Sequence, residues 1–393
     1  MSEALILSAC RTPIGKFRGV LSSLPATELG ALVVREAVAR AAVEPATIDE
    51  VILGQVLTAG VGQAPARQAA LRAGLPAAVA ALTINKVCGS GLKAVMLAAQ
   101  AVRGGDAQLV VAGGMESMSQ AVYALPREGP HLGDRTLVDT LLHDGLTCAL
   151  SRRGMGDLAE AVAERYGISR EEQDAYALVS HQRAVAAQDA GAFVAEIVPV
   201  TVPGRKSAGP IAADEGPRRE ASREGLAALK PAFCATGTVT AGNASMISDG
   251  AAAVVVGSSA AVERLGARPL ARIRAAVTVG GAPEDLFTAP IEAVRQVVRR
   301  GGLSLDAIDL FEVNEAFAVQ MLACLRPLGV GLDRVNIHGG AIALGHPIGA
   351  SGARVLVTLL HALERHRKLY GVAALCLGGG NAVAMLVERV PVL

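Results

Sequence analysis

The chain has 393 residues, half of them apolar, with a net charge of +1 and no long run of like charge. That is enough chain for two or three packed units, and the near-neutral balance excludes the basic surface that nucleic acid or an acidic membrane requires. Aromatic residues are scarce, with no Trp, four Tyr and six Phe, which also excludes platforms for stacking bases.

The segment Met1-Ser2-Glu3-Ala4-Leu5-Ile6-Leu7 lacks the basic start and longer apolar core of a signal peptide, so it is expected to be a first strand. Short apolar strands then alternate with amphipathic helices: a helix near 26–42, a strand over 51–56, a helix near 64–73, a strand over 80–84, a helix after residue 88 and a strand over 109–112. The alternation predicts an α/β fold with a mainly parallel sheet. From about Ser117 to Met246 the pattern changes. Loops over 127–134 and 203–217, two or three helices and the charged residues Arg205, Lys206, Arg218, Arg219, Arg223 and Lys230 read as an insertion, and alternation resumes over 251–256. No apolar run approaches the roughly 18 residues that span a bilayer. Six cysteines scattered without a C-x-x-C pair, and seven histidines without zinc spacing, predict free thiols in a reducing cytoplasm and no metal.

The two ends of the chain resemble each other. Val34-Arg35-Glu36-Ala37-Val38-Ala39-Arg40 matches Val294-Arg295-Gln296-Val297-Val298-Arg299-Arg300, and Ile48-Asp49 matches Ile308-Asp309, all at an offset of 260. One residue further on, at an offset of 261, Gly89-Ser90-Gly91-Leu92-Lys93 lies over Ala350-Ser351-Gly352-Ala353-Arg354; further along, at an offset of 265, Leu109–Gly114 corresponds to Ala374–Gly379 as a strand running into paired glycines. An ungapped match that carries polar residues points to two α/β halves related by duplication. The expected division is 1–117 plus 248–269 as the N-terminal half, 118–247 as an inserted loop domain, and 270–393 as the C-terminal half.

Each half has one Gly-rich turn before its central helix. In the first, Cys88 stands between a strand and a helix whose Leu92, Val95, Met96, Ala99 and Val102 mark one buried face. A helix N-terminus favours an anion, so the turn is expected to lower the thiol pKa, and the flanking Gly89 and Gly91 leave the sulfur open to a carbonyl. Two other readings stand beside this one. A cysteine is often a small buried hydrophobe, and Gly89-Ser90-Gly91-Leu92-Lys93-Ala94 fits a dinucleotide fingerprint. That fingerprint wants an acidic residue about 20 positions on, and Asp106 comes early and Glu116 late. In the second half, Gly345-His346-Pro347-Ile348-Gly349 puts a histidine three residues before the position equivalent to Cys88. If the halves pack about an approximate twofold, the turns face each other. His346 is then expected to take the Cys88 proton and leave a thiolate–imidazolium pair. Cys376 ends an apolar strand before Gly378-Gly379-Gly380, whose amides suit an oxyanion, and Asn314 is a neutral donor.

Six blocks carry a family resemblance: Cys88-Gly89-Ser90-Gly91, Gly113-Gly114-Met115-Glu116-Ser117-Met118, Gly242-Asn243-Ala244-Ser245, Asn314-Glu315-Ala316-Phe317, Gly345 to Gly352, and Cys376-Leu377-Gly378-Gly379-Gly380. In this order, with Arg11-Thr12-Pro13-Ile14-Gly15-Lys16-Phe17 ahead of them, they resemble the signature blocks of the thiolases along essentially the whole chain. The resemblance implies a five-layered αβαβα fold and acyl-CoA C-acyltransferase chemistry, making or cleaving acetoacetyl-CoA or another 3-ketoacyl-CoA. It implies coenzyme A thioesters as substrates with no bound cofactor, and a cytoplasmic homotetramer or homodimer. Cys88 would carry the acyl group, His346 would activate it, and Cys376 would move the proton at the α-carbon of the second acyl-CoA. One oxyanion site would be His346 with a water held by Asn314, and the other the backbone N–H groups of Cys88 and Gly378. For coenzyme A, the resemblance points to Arg218 at the nucleotide end, Ser245 at the pantetheine arm, and Leu146, Met155, Phe233, Ala241, Ala316 and Phe317 along the tunnel.

Two departures bear on chain length. Short-chain members carry a histidine where this chain has Gly154, and many members have Gly where it has Met246, while Phe233 is of the short-chain type. The related readings are a longer-chain degradative thiolase, a ketosynthase-like condensing enzyme and a non-catalytic acyl-CoA-binding homologue. The ketosynthase would replace the Cys376 thiol, and the silent homologue would lose the nucleophile or base.

Overall fold

The computed structural model describes residues 3–127, 132–204 and 209–391; Arg205, Lys206 and part of the predicted 127–134 loop lie outside them. Nine main strands are β1 (Ala4–Arg11), β2 (Glu50–Gly54), β3 (Ala80–Ile84), β4 (Leu109–Ser117), β5 (Ser248–Ser258), β6 (Ala271–Gly280), β7 (Leu310–Val313), β8 (Tyr370–Leu377) and β9 (Asn381–Arg389). The helices of eight residues or more are α1 (Ala26–Arg40), α2 (Pro65–Arg72), α3 (Ser90–Gly104), α4 (Met155–Tyr166), α5 (Arg170–Asp189), α6 (Ala289–Arg300), α7 (Ala318–Leu328) and α8 (Ile348–Arg365).

The strand order β3-β2-β4-β5-β1 runs directly into β6-β9-β8-β7. In the first half β2 pairs parallel with β3 and β4, while β4–β5 and β5–β1 are antiparallel. The second half repeats this, with β7–β8 parallel, β8–β9 and β9–β6 antiparallel, and a parallel bridge from Phe311 to Val335 where the first half has β3. The halves join edge to edge where β1 meets β6, at Leu5–Arg272 and Ile6–Ala271. The sheets are thus mixed, and the expected mainly parallel sheet is corrected. β9 follows β8 through a tight turn, and a tight turn can only join antiparallel strands; β5 takes the matching place after the long excursion through 118–247.

Apolar faces sort the helices into layers. Leu7, Val51, Leu53, Val111 and Val255 face α1 and α2. Residues from both sheets, including Ile6, Val110, Val254, Ala373 and Val383, enclose α3 and α8 between them. Val277, Phe311, Val372 and Ala384 face α6 and α7 on the far side. The order is helix, sheet, helix, sheet, helix. A Cβ on Gly352 would lie 2.3 Å from Leu92 N, and one on Gly91 2.6 Å from Ala353 N. Duplicated glycines therefore let the central helices touch backbone to backbone, bringing their N-terminal turns together.

The repeated Asp has one task in both halves. Asp49 Oδ2 accepts from the N–H groups of Gln108 and Leu109 at 2.6 and 2.9 Å, and Asp309 Oδ2 from those of Leu369 and Tyr370 at 3.0 and 2.9 Å. Each carboxylate closes the start of the strand that leads to an active-site segment. Among residues 118–247, α4 and α5 lean on the second half, where Tyr176 and Ser180 donate to the buried Glu315 carboxylate at 2.9 and 2.7 Å. No helix among the described residues is long and apolar enough to cross a membrane.

Candidate active site

Cys88 sits on a tightly tied turn. Val87 is held at φ +48°, a left-handed conformation that a β-branched residue adopts only when its surroundings impose it. The ties are local: the Ser90 hydroxyl accepts from Lys86 N at 2.8 Å and donates to Val87 O at 2.6 Å, and Asn85 Oδ1 accepts from Val87 N at 2.9 Å. Gly89 is the cap of α3, so Cys88 stands just before the helix N-terminus.

His346 enters from the other half, just ahead of α8. The Ser351 hydroxyl donates to Pro347 O at 2.8 Å, so it accepts from His346 Nδ1–H at 2.6 Å. That fixes the tautomer: the proton is on Nδ1, and Nε2 presents its lone pair and can act as a base. Asn314 Nδ2 donates to that nitrogen at 3.4 Å, while Asn314 Oδ1 is buried with no hydrogen-bond partner among the described residues. Cys376 ends the buried strand β8. Beyond it Gly379 and Gly380 take φ of +81° and +84°, and the backbone N–H groups of Gly378 and of Cys88 itself both face the Cys88 sulfur.

The electrostatics differ from the sequence expectation. Burial pushes the Cys88 thiol up to about 12, against the two backbone N–H groups that favour the thiolate, and the Glu116 carboxylate adds to the rise. Burial, with the Arg354 guanidinium adding, pushes His346 down to about 3. The resting pair is therefore a neutral thiol beside a neutral imidazole, and the expected thiolate–imidazolium pair is corrected: closing two halves over the site removes more solvation than one helix end returns. Burial, with Cys88 and Cys324 adding, also pushes Cys376 well above the ordinary thiol range. The alkylation rate of the Cys88 peptide by iodoacetamide should rise about tenfold per pH unit from pH 7 to 10, tracking the thiolate fraction. A rate that is flat between pH 5 and 8 would show a preformed ion pair instead.

One cavity of about 690 Å³ collects these groups. Cys88, His346, Cys376 and Gly378 line it, and so do Leu146, Met155, Arg218, Phe233, Ala241, Ser245, Ala316 and Phe317; of the expected set only Asn314 lies behind the wall. Arg218 and Lys16 both line it, and the Arg218 guanidinium makes no ion pair among the described residues. Two neighbouring acids are occupied elsewhere: Asp214 binds Arg11 at 2.6 Å, and Glu215 accepts from Lys16 N and Val20 N. Phe233 stacks edge-on to Phe317, and Phe317 to Phe287, at 6.3 and 5.3 Å between centroids. Leu286, Phe287, Leu142 and Ile247 also line the cavity and carried no sequence signal, being ordinary apolar residues. The Ser351 support of His346 was missed too, although it lies within a quoted block.

Comparison with known proteins agrees with this architecture. Residues 4–260 match the family model described as thiolase, N-terminal domain, and residues 267–389 match that described as thiolase, C-terminal domain. A protein of Chromobacterium violaceum named acetyl-CoA acetyltransferase is 54% identical over 391 residues, covering 98% of this chain and 100% of that one. One of the same name from Cupriavidus necator is 53% identical over 393 residues, covering 99% and 100%. The crystal structure of the Bacillus anthracis acetyl-CoA acetyltransferase superposes with a TM-score of 0.97 at 42% identity, covering 99% of each chain. With both family domains matched in order along one duplicated α/β scaffold, this chain belongs to the thiolase family.

Proposed function

We propose that the chain is an acetyl-CoA C-acetyltransferase, joining two acetyl-CoA into acetoacetyl-CoA and free CoA and running the thiolysis in reverse. The observation that carries this reading is two cysteines and a histidine with an unprotonated Nε2 on one largely apolar cavity, with backbone N–H groups turned toward the first sulfur. The names of the relatives support the acetyl substrate.

The chemistry follows from the resting protonation. Cys88 attacks the thioester carbonyl as His346 Nε2 takes its proton, so Cys88 need not be a thiolate beforehand. The departing CoA sulfur takes the proton of Cys376, leaving acyl-Cys88, an imidazolium and a Cys376 thiolate. Because burial makes that thiolate strongly basic, it can remove a proton from the α-carbon of the second acetyl-CoA. The carbanion attacks the Cys88 thioester, a carbon–carbon bond forms, and the leaving Cys88 sulfur recovers its proton from His346. The amides of Cys88 and Gly378 serve one oxyanion, and His346 with a water on Asn314 serves the other.

Arg218 is assigned to the phosphates of coenzyme A, Ser245 to the pantetheine arm, and Leu146, Met155, Phe233, Ala241, Ala316 and Phe317 to the tunnel wall. Residues 118–247 form the coenzyme A-binding insertion between 1–117 plus 248–269 and 270–393. The chain needs no bound cofactor beyond its coenzyme A substrates. It works as a cytoplasmic homodimer or homotetramer; the exposed edge strand β3, with Leu82 outward, and the exposed Leu125, Leu132 and Leu137 support self-association.

The direct test is thiolysis of acetoacetyl-CoA by CoA together with exchange of labelled CoA into acetyl-CoA; absence of both would overturn the reading. A preference for longer 3-ketoacyl-CoA is favoured by one feature, the missing side chain at Gly154 on the cavity wall. Gly154→His should then lower turnover of a six-carbon substrate about tenfold more than that of acetoacetyl-CoA, one to two methylenes' worth of discrimination. Equal loss on both would remove the longer-chain reading.

A further inference from the structure

Glu116 is a fully buried carboxylate in the Gly113–Met118 block, and nothing in the chemistry above uses it. Its Oε2 accepts from Val56 N and from Gly349 N, both at 2.9 Å, and its Oε1 from Leu57 N at 3.2 Å. These donors come from different halves. Val56 and Leu57 belong to the loop that follows β2, and both pack with Cys88, Met118, Leu141 and Ile348 in one small apolar cluster. Gly349 lies in the first turn of α8, three residues after His346, at the position equivalent to Cys88 by the repeat. The N–H groups at the start of a helix have no partner within it, and a carboxylate is the natural acceptor there. The fit is close: a Cβ on Gly349 would fall 2.6 Å from Glu116 Oε2.

We infer that Glu116 is a positioning residue for the proposed acyl transfer, bolting the loop packed on Cys88 to the helix that follows His346 and so setting the distance from sulfur to imidazole. This rests on the acetyltransferase reading above. The charge state of the bolt is sensitive. Burial raises Glu116 to about 7, against its three backbone N–H donors, and Asp249 on β5 adds to the rise. Asp249 and Cys88 are the titratable groups whose charge is coupled to it. When Glu116 ionises it tightens its three hydrogen bonds and works against the Cys88 thiolate.

The experiment compares Glu116→Ala and Glu116→Gln in the full chain, with kcat expressed per chain that can be acetylated at Cys88. Gln can place its carbonyl oxygen where Oε2 sits, keeping the Val56 and Gly349 bonds while losing the one to Leu57. Ala should lower kcat for acetoacetyl-CoA thiolysis by roughly 10- to 100-fold with KM nearly unchanged, the usual effect of a small misplacement of reacting groups. Gln should recover most of that loss. Wild-type log kcat should also bend near pH 7, and that bend should be absent in Glu116→Gln; Glu312, whose carboxyl is raised to about 8 by burial, is common to both proteins and cannot make the difference. If Ala does not fold, the pH profile of Gln decides. Equal losses in Ala and Gln, an effect on KM alone, or a bend that persists in Gln would overturn the proposal. A wild-type chain that is neither acetylated nor active would overturn the acetyltransferase reading instead.

Discussion

Cys88→Ala is expected to abolish acetylation of the chain and to lower thiolysis of acetoacetyl-CoA by about 10⁴-fold or more, with the fold intact. The size follows from covalent catalysis: without the sulfur, the reaction loses its acyl carrier, and what remains is binding and the amide donors. Stability should change little. Cys88 is half-buried, and Ala keeps the Cβ and every backbone hydrogen bond of the turn. Thermal unfolding compared with steady-state rates separates the two effects. A variant that keeps a hundredth of wild-type activity would place the acyl carrier elsewhere.

Cys376→Ala should divide the reaction in two. The acetyl group still reaches Cys88, though more slowly: the thiol, the His346 base and the amides of Cys88 and Gly378 are untouched, and the departing CoA sulfur takes its proton from the imidazolium in place of Cys376. The carbon–carbon step should fall by about 10³-fold or more, since nothing else in the cavity has both the position and the basicity to take an α-proton. Cys148 is buried in the same apolar cluster as Cys376, but it lies outside the cavity lining. The acetyl-enzyme should therefore accumulate in Cys376→Ala when acetyl-CoA is supplied alone. Cys376→Ser should behave like the Ala variant, an alcohol being a far weaker carbon base than a thiol when both are buried. Condensation at wild-type rate in either variant would remove Cys376 from its role.

Much of this site could be read from the sequence because the chemistry sits on punctuated turns. Cys88 and His346 each adjoin a glycine and Cys376 lies two residues before one, and the repeat between the halves put the first two turns in equivalent places. The glycine pair Gly91 and Gly352 illustrates this, being duplicated in sequence and packed together in space. Strand direction was less legible. Apolar runs such as those of β5 and β9 look alike whichever way they pair, and only their connections make them antiparallel to their neighbours. Protonation was misread because it depends on residues remote from the turn. The helix end beside Cys88 is local, but the burial that outweighs it comes with the opposing half, and the Arg354 charge acting on His346 comes from the second turn of α8. The cavity wall at Leu286 and Phe287 carried no signal, since apolar residues have no chemistry until the fold gives them a partner.

The account comes down to which sulfur holds the acetyl group, and peptide mass spectrometry of the chain, quenched shortly after mixing with acetyl-CoA, answers that directly. The expected spectrum has the acetyl group on the peptide containing Cys88, at higher occupancy in Cys376→Ala than in wild type. Acetyl on the Cys376 or Cys148 peptide instead, or no acetylated peptide from a chain that turns over, would contradict it.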